Sequence, residues 1–574
     1  MAGWTGKIVC VDLSSERVTI TGTDEKLIRM YLGGRGLGVK LLSELSDPYI
    51  DPLDPENPLI FTTGPLTGLA PMASGAVLTS KSPLTGTIFS WNTGGGFGRE
   101  LKKAGIDALV ISGKAKSPSY VELKGDEIKV MRAGQLWGLN TEACTESLKS
   151  MGSVACIGRA GEKEVLISSF VLNSVHSGRG GLGAVAGSKL LKAVVVKGEK
   201  ELLPARPEKF KELETKMLKL FDANPVLSKG LANYGTPVLV KLLDYMGLIP
   251  SNNFSGKSTP FADMFSGEYI KASFDIEKES CPACPLGCKR RIKNTGQLLP
   301  DYDSIWAFGF NLENSDFDSV LRADRICKNY GLDPVSAGSV LGACAELQSG
   351  KIDPRELETL LTGIGEGSEP GKGARNYLSA RKREDLSMDV KGLELGGFDP
   401  RGIRGQALAY ATSCHGGDYL TAFMVGPEVL GKPLLLDRLS LRGKAGILQV
   451  FENLTALLDS LVLCSFSIFA INEELCSALL KVGAGLEISS AELLKAGERI
   501  WNLERIYNLK AGFTRKADTL PGRLFEADND KRGDGIPRQE FETALQQYYL
   551  YRGWDQEGVP SQEKLRKLGL DYWK

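Results

Sequence analysis

Three thiols crowded into eight residues constrain this chain more than any other stretch of it. Cys281, Cys284 and Cys288 stand in Cys281-Pro282-Ala283-Cys284-Pro285-Leu286-Gly287-Cys288, where two prolines stiffen the backbone and lower the entropy cost of gathering the sulfurs around one ion or cluster. Zinc and iron–sulfur sites take four ligands, so a fourth has to come from elsewhere. The common zinc pattern draws it from a second Cys or His pair roughly 12–20 residues on. No such pair follows: the chain has two histidines, His176 and His415, and the next cysteine, Cys327, sits alone in a helical pattern. The spacing Cys-x2-Cys-x3-Cys with a remote fourth cysteine is the ligation pattern of a four-iron cluster; zinc and an unligated loop stand beside it as alternatives.

The 574 residues exceed what one hydrophobic core supports and point to three or four domains. Lys+Arg and Asp+Glu both total 70, so no global field recruits nucleic acid or an anionic membrane. The N-terminus has no basic region followed by an apolar run, and no 18-residue apolar stretch occurs, which predicts a cytoplasmic protein without a membrane span. Eleven cysteines are too sparse for a disulfide scaffold, and those outside the triplet read as buried reduced thiols.

Residues 1–200 read as mostly β. Lys7–Leu13, Arg17–Thr21, Leu59–Thr63, Ala76–Ser80, Ala108–Ser112 and Ala193–Lys197 are short β-branched or apolar runs between turns. Gly33-Gly34-Arg35-Gly36-Leu37-Gly38 leads into a helix but lacks the preceding strand and the spacing of a dinucleotide fingerprint. Two later runs, Trp91–Gly98 and Ser177–Ala184, have the glycine density that lets backbone amides approach an anion, and Arg179 adds a planar donor fork suited to phosphate. Glycines relieving crowding in a twisted sheet, with a solvated arginine, are the alternative. The texture changes near Leu203–Pro207. Beyond it Ser315–Tyr330, Pro334–Gln348, Pro354–Thr362, Gly373–Lys382, Gly402–Ser413, Leu441–Cys464, Glu473–Val482 and Ala491–Ile506 carry apolar residues at helical spacing, and the aromatic tail Tyr548–Asp555 reads as a docked segment.

Five motifs in order, Lys81–Gly86, Gly178–Lys189, the cysteine triplet, Tyr330–Asp333 and Phe398–Gly402, resemble the tungsten-dependent aldehyde:ferredoxin oxidoreductases over the whole chain. The resemblance implies an α+β protein of three domains: 1–204, a β-rich saddle for two pterins; 205–397, helical with the cluster cysteines; and 398–574, helical with the fourth cysteine. It implies tungsten held by two pterins joined through magnesium, with a [4Fe-4S] cluster adjacent. The family segment Asp-x-x-Gly-Leu-Cys is matched by Asp459-Ser460-Leu461-Val462-Leu463-Cys464, with valine for glycine. That makes Cys464 the fourth cluster ligand and gives Asp459, Leu463, Cys464 and Ser465 to one pterin. Leu332 and Asp333 serve the other, with Lys328 where the family has aspartate. Asn92 and Gly94 match contacts to pterin and magnesium, and Arg179 and Gly180 match phosphate contacts.

The reacting residues depart from the family. Pro300-Asp301-Tyr302-Asp303 replaces Pro-Glu-Tyr-Glu, and the family histidine falls on Tyr419, four residues after His415. Asp303, Tyr419 and His415 are the candidate acid–base groups; an Asp303 that caps a helix and a satisfied loop histidine are the plainer roles. The implied activity is oxidation of an aldehyde to a carboxylic acid, with electrons leaving through the cluster to ferredoxin or an iron–sulfur partner subunit in a homo- or hetero-oligomer. A low-potential reduction of an acid or acyl thioester with the same cofactor is the alternative. Lys289, Arg290 and Arg291 either tune the cluster, dock an acidic ferredoxin or form a solvated basic face.

Overall fold

The computed structural model describes residues 2–173, 175–256, 259–526 and 535–572. Two six-stranded sheets occupy the first two hundred residues. The first runs in the order Arg17–Gly22, Lys7–Asp12, Ala108–Ser112, Leu59–Thr62, Ala76–Lys81, Ile88–Thr93, and the second Val175–Ser177, Phe170–Leu172, Ser153–Ile157, Leu191–Lys197, Ser119–Lys124, Glu127–Arg132. Leu59–Thr62 and Ala76–Lys81 are buried along their whole length, as expected of central strands covered on both faces. Arg17–Gly22 and Glu127–Arg132 lie at the edges, largely exposed and carrying charges, a composition that discourages pairing with another chain. Phe61 ties the sheets together, meeting Phe170 edge-on at 5.5 Å.

All six strands predicted from the sequence form within two residues of their expected ends. The remainder of the chain is mainly helical. Asp316 caps Phe317–Tyr330 by accepting from the amides of Asp318 and Ser319; Gly331 closes that helix at a φ of 69°, and Asp333 then caps Pro334–Leu347. Helix Ser490–Lys510 starts with a complete capping box between Ser489 and Glu492. The helix expected over Leu441–Cys464 is shorter, Lys444–Ser460, because the backbone turns into the left-handed region at Val462, φ 57°. The tail docks as expected: Tyr548, Tyr549 and Trp554 are buried, and Arg552 pairs with buried Glu452. Among the described residues no helix is long and apolar enough to cross a membrane.

Candidate active site and cofactor cavity

The cysteine triplet sits on a hairpin whose strands are Ile276–Glu279 and Lys289–Ile292. The glycine run after Ile88–Thr93 packs onto it. The amide of Gly95 donates to Cys281 Sγ at 3.1 Å, and a Cβ on Gly94 would stand 3.2 Å from the same sulfur. One amide of this run thus serves a cysteine, while Asn92, Thr93 and Gly94 face the cavity described below. Cys464 arrives from the far end of the chain: its amide donates to the Met72 carbonyl at 2.9 Å, and the Met72 amide donates to the Ala283 carbonyl inside the triplet. Burial first, then the neighbouring sulfurs of Cys288, Cys284 and Cys281, push the Cys464 thiol well above its ordinary range. Four thiols so placed ionise together only around positive charge. Among the described residues no three Cys, His, Asp or Glu side chains come together as a set that could hold a single metal ion.

The basic run after Cys288 is not an exposed face. Lys289 donates to Asp301 at 2.8 Å, buried Arg290 to the Leu231 carbonyl at 3.0 Å, and Arg291 Nε to Glu279 at 2.7 Å. The docking and solvated-face expectations fail here because all three cations have internal partners.

Beyond the sulfurs opens a cavity of about 260 Å³, partly open to solvent, lined among others by Asn92, Gly94, Cys281, Cys288, Asp303, Tyr419, Asp459, Cys464 and Ser465. Asp303 and Tyr419 meet in it. The tyrosine hydroxyl lies 2.9 and 2.8 Å from the two carboxylate oxygens. Burial raises the Asp303 pKa to about 6, against the lowering effect of the Tyr419 hydrogen bond. Asp303 lies inside the short helix Tyr302–Ile305; the residue at its N-cap is Asp301, so the capping role is not what Asp303 does.

Two pockets flank the cavity, and each is built on an arginine from a glycine run facing an aspartate. On one side Arg35, buried, donates to Glu504 at 2.8 and 2.7 Å and to Asp459 at 3.3 Å, while Asn92 donates to Asp459 at 3.0 Å and to the Leu463 carbonyl at 2.8 Å. On the other side Arg179, also buried, donates to Asp333 at 2.8 Å and to the Glu394 carbonyl at 2.8 Å. Arg179 is thus neither solvated nor an empty fork. Gly180, at φ 70°, has its carbonyl held by Ser82, and a Cβ there would press on the Phe89 ring at 2.8 Å. Leu332 is fully buried under this pocket.

Arg35 escaped the sequence reading. Its glycine run was tested only as a nucleotide fingerprint, and helix Glu25–Tyr31 in place of a strand before it bears out the rejection. The usable signal was the echo of Gly34-Arg35-Gly36-Leu37-Gly38 in Gly178-Arg179-Gly180-Gly181-Leu182-Gly183. His415 belongs to the Arg35 side. It lies 3.6 Å from Glu504 and 3.9 Å from Asp418, too far for hydrogen bonds, and neither ring nitrogen has a hydrogen-bond partner. Burial opposes its charge, but those two carboxylates outweigh it and raise its pKa. It is therefore not a satisfied loop histidine, and it stands apart from the Asp303–Tyr419 pair.

Family models described as the N-terminal domain and as domains 2 and 3 of aldehyde ferredoxin oxidoreductase match residues 8–198 and 212–570. The chain belongs to the aldehyde ferredoxin oxidoreductase family. The tungsten-containing aldehyde ferredoxin oxidoreductase of Pyrococcus furiosus is 38% identical over 99% of this chain and 99% of its own length, and that of Thermococcus kodakarensis is 37% identical over 99% of each. The BamBC active-site complex of benzoyl coenzyme A reductase, solved with 1,5-dienoyl-CoA, superposes with a TM-score of 0.84 at 24% identity over 100% of this chain and 98% of that one. That likeness shows the fold.

Departures from the aldehyde ferredoxin oxidoreductase pattern acquire physical content here. Lys328, in the aspartate position, pairs with buried Asp324 one turn back at 2.6 Å, and both line the Arg179 pocket. Val462, where the resemblance expects glycine, has a positive φ of 57°.

Proposed function

We infer that the chain oxidises an aldehyde to its carboxylic acid on a tungsten ion held by two pterins, handing the electrons through a [4Fe-4S] cluster to ferredoxin or an iron–sulfur partner subunit. The observation that carries this reading is the Asp303–Tyr419 pair standing in the same cavity as Cys281, Cys288 and Cys464. The residues present fit the groups. Four cysteine sulfurs brought near one another, with no histidine among them, suit a [4Fe-4S] cluster. The pairs Arg35–Asp459 and Arg179–Asp333, on either side of the cavity, offer polar partners to two ligands lying in it. In this reading Asn92, Gly94, Asp459, Leu463 and Ser465 hold one pterin; Arg179, Gly180, Leu332 and Asp333 hold the other; magnesium joins their phosphates. Cys281, Cys284, Cys288 and Cys464 hold the cluster. Tungsten, when bound, supplies the two-electron acceptance that no side chain offers.

The protein's own part is proton handling and orientation. An aldehyde and water give the acid, two protons and two electrons. Asp303, ionised above about pH 6, takes a proton from the water oxygen as that oxygen adds to the carbonyl carbon. Tyr419 fixes the carboxylate and leaves its own hydroxyl hydrogen on the bridge. His415, in the Arg35 pocket, is not part of that hydrogen-bonded pair. The same reading divides the chain at 1–204, 205–397 and 398–574 and places it in the cytoplasm. Reduction of an acid or acyl thioester has only a fold likeness on its side.

Elemental analysis of anaerobically purified protein, followed by aldehyde-dependent dye reduction, tests the reading. About one tungsten and about four irons per chain are expected. Zinc alone, from a host that makes the cofactor, overturns it.

A further inference from the structure

One wall of the cavity is a row of aromatic rings. Tyr302, Phe398, Phe423 and Phe469 follow one another at centroid distances of 5.2, 5.9 and 6.1 Å, and Tyr419 packs 4.9 Å from Phe398 and 6.0 Å from Phe423. The contacts of Phe423 with Phe398 and with Phe469 are edge-on, at 82° and 86°. The row starts beside Asp303 and ends at Phe469. Phe469 and its neighbour Ile468 also line an outer groove, bounded by helix Pro207–Ala223 and residues 468–478. Ile468 and Phe469 thus stand between the outer groove and the cavity that holds the acid–base pair.

Charge on the cavity wall is already used. Among the described lining residues Lys289 holds Asp301, Tyr419 holds Asp303, and Arg35 with Asn92 holds Asp459. A phosphate or carboxylate on the substrate would find no free cation there and would lose its hydration uncompensated. An aromatic ring would find several ring faces and edges at stacking distance.

Resting on the aldehyde oxidation inferred above, we propose that the substrate is an uncharged aromatic aldehyde, which enters past Phe469 and lies along Phe423 with its carbonyl carbon toward Asp303. The ring supplies the binding energy and the aldehyde group reacts as before, R–CHO and water giving R–COOH, two protons and two electrons for the ferredoxin-type acceptor.

The test is a comparison of kcat/KM for benzaldehyde, acetaldehyde and glyceraldehyde 3-phosphate on the holoenzyme with a dye acceptor. Benzaldehyde is expected to lead acetaldehyde by about tenfold or more, with the phosphorylated aldehyde last. Phe469→Ala, and the milder Phe423→Leu that keeps an apolar side chain, are expected to lower the benzaldehyde value about tenfold, through KM, and the acetaldehyde value less than about threefold. Calorimetry should show benzyl alcohol, a neutral analogue, binding the wild type more tightly than either variant. A lead by acetaldehyde or the phosphorylated aldehyde, or equal losses for both aldehydes in both variants, overturns the proposal while leaving aldehyde oxidation standing. Oxidation of none of the three overturns the aldehyde reading itself, and this proposal with it.

Discussion

The hydroxyl of Tyr419 spans both carboxylate oxygens of Asp303, residues 116 positions apart in the chain. Burial holds that carboxyl at a pKa of about 6, and the tyrosine hydrogen bond pulls it down from a still higher value. A base must be ionised to work, so kcat/KM should fall about tenfold per pH unit below about pH 6. Tyr419→Phe should move this acid limb to higher pH, and Asp303→Asn should cost about 10²–10⁴-fold in kcat at neutral pH. A pH profile of each variant checks both.

Val462 is a buried β-branched residue in the left-handed region at φ 57°, its methyl wedged against Gly34 and Gly64. Replacing a buried valine ordinarily leaves alanine more stable than glycine by about 0.5–1 kcal/mol. Here the order should invert. Val462→Gly gives up about 1.5–3 kcal/mol of burial but releases about 1–3 kcal/mol of backbone strain, whereas Val462→Ala gives up burial and keeps much of the strain. Urea midpoints of the two variants against wild type decide it.

Cys464 and Cys327 make a matched pair for testing ligation. Cys464 borders the cavity beside the triplet, whereas Cys327 is buried inside helix Phe317–Tyr330. Cys464→Ala should strip most of the iron and the cluster's paramagnetic signal, while Cys327→Ala should leave about four irons per chain. Iron assay with electron paramagnetic resonance distinguishes the two.

Arg35 and Glu504 form a bidentate pair with both side chains buried. Burial alone would raise the Glu504 pKa, but Arg35 outweighs it and holds the carboxyl at about 2. Its folded pKa lies below the unfolded one, so the pair stabilises above about pH 4.5 and that contribution is lost as pH falls toward 2. Arg35→Met should therefore cost about 3–5 kcal/mol at pH 7 and less at pH 4. Arg35→Met with Glu504→Leu should recover most of the loss. Denaturation curves at the two pH values measure it.

Much of this was legible in the sequence because its signals are local. Leu59–Thr62 is a continuous apolar run, and Asp333-Pro334 announces a helix start by itself. The strand Ile88–Thr93 was hidden because it ends in the glycine run, whose composition reads as loop. Glu127–Arg132 was hidden by an edge position that needs little apolar sequence, and Ser119–Lys124, an interior strand beside it, by the polar Glu122 and Lys124 in its short run. Arg35 was missed because its partners Asp459 and Glu504 lie 424 and 469 positions away, and no periodicity encodes such a meeting. The basic run 289–291 misled because its anions, Glu279 on the paired strand and Asp301 at a helix N-cap, each lie 12 positions away and meet it only once the hairpin has formed.

The span between Asn92 and Asp459, 367 positions joined by one hydrogen bond, also sets a timetable. A ribosome making this chain finishes the sheets and the first three cysteines long before it reaches Cys464, and the cavity walls at residues 458–469 are among the later parts to emerge. Until they do, a nascent chain has nowhere to lodge a large prosthetic group. On the function proposed above, loading then waits for residues 458–469, which complete the cavity wall.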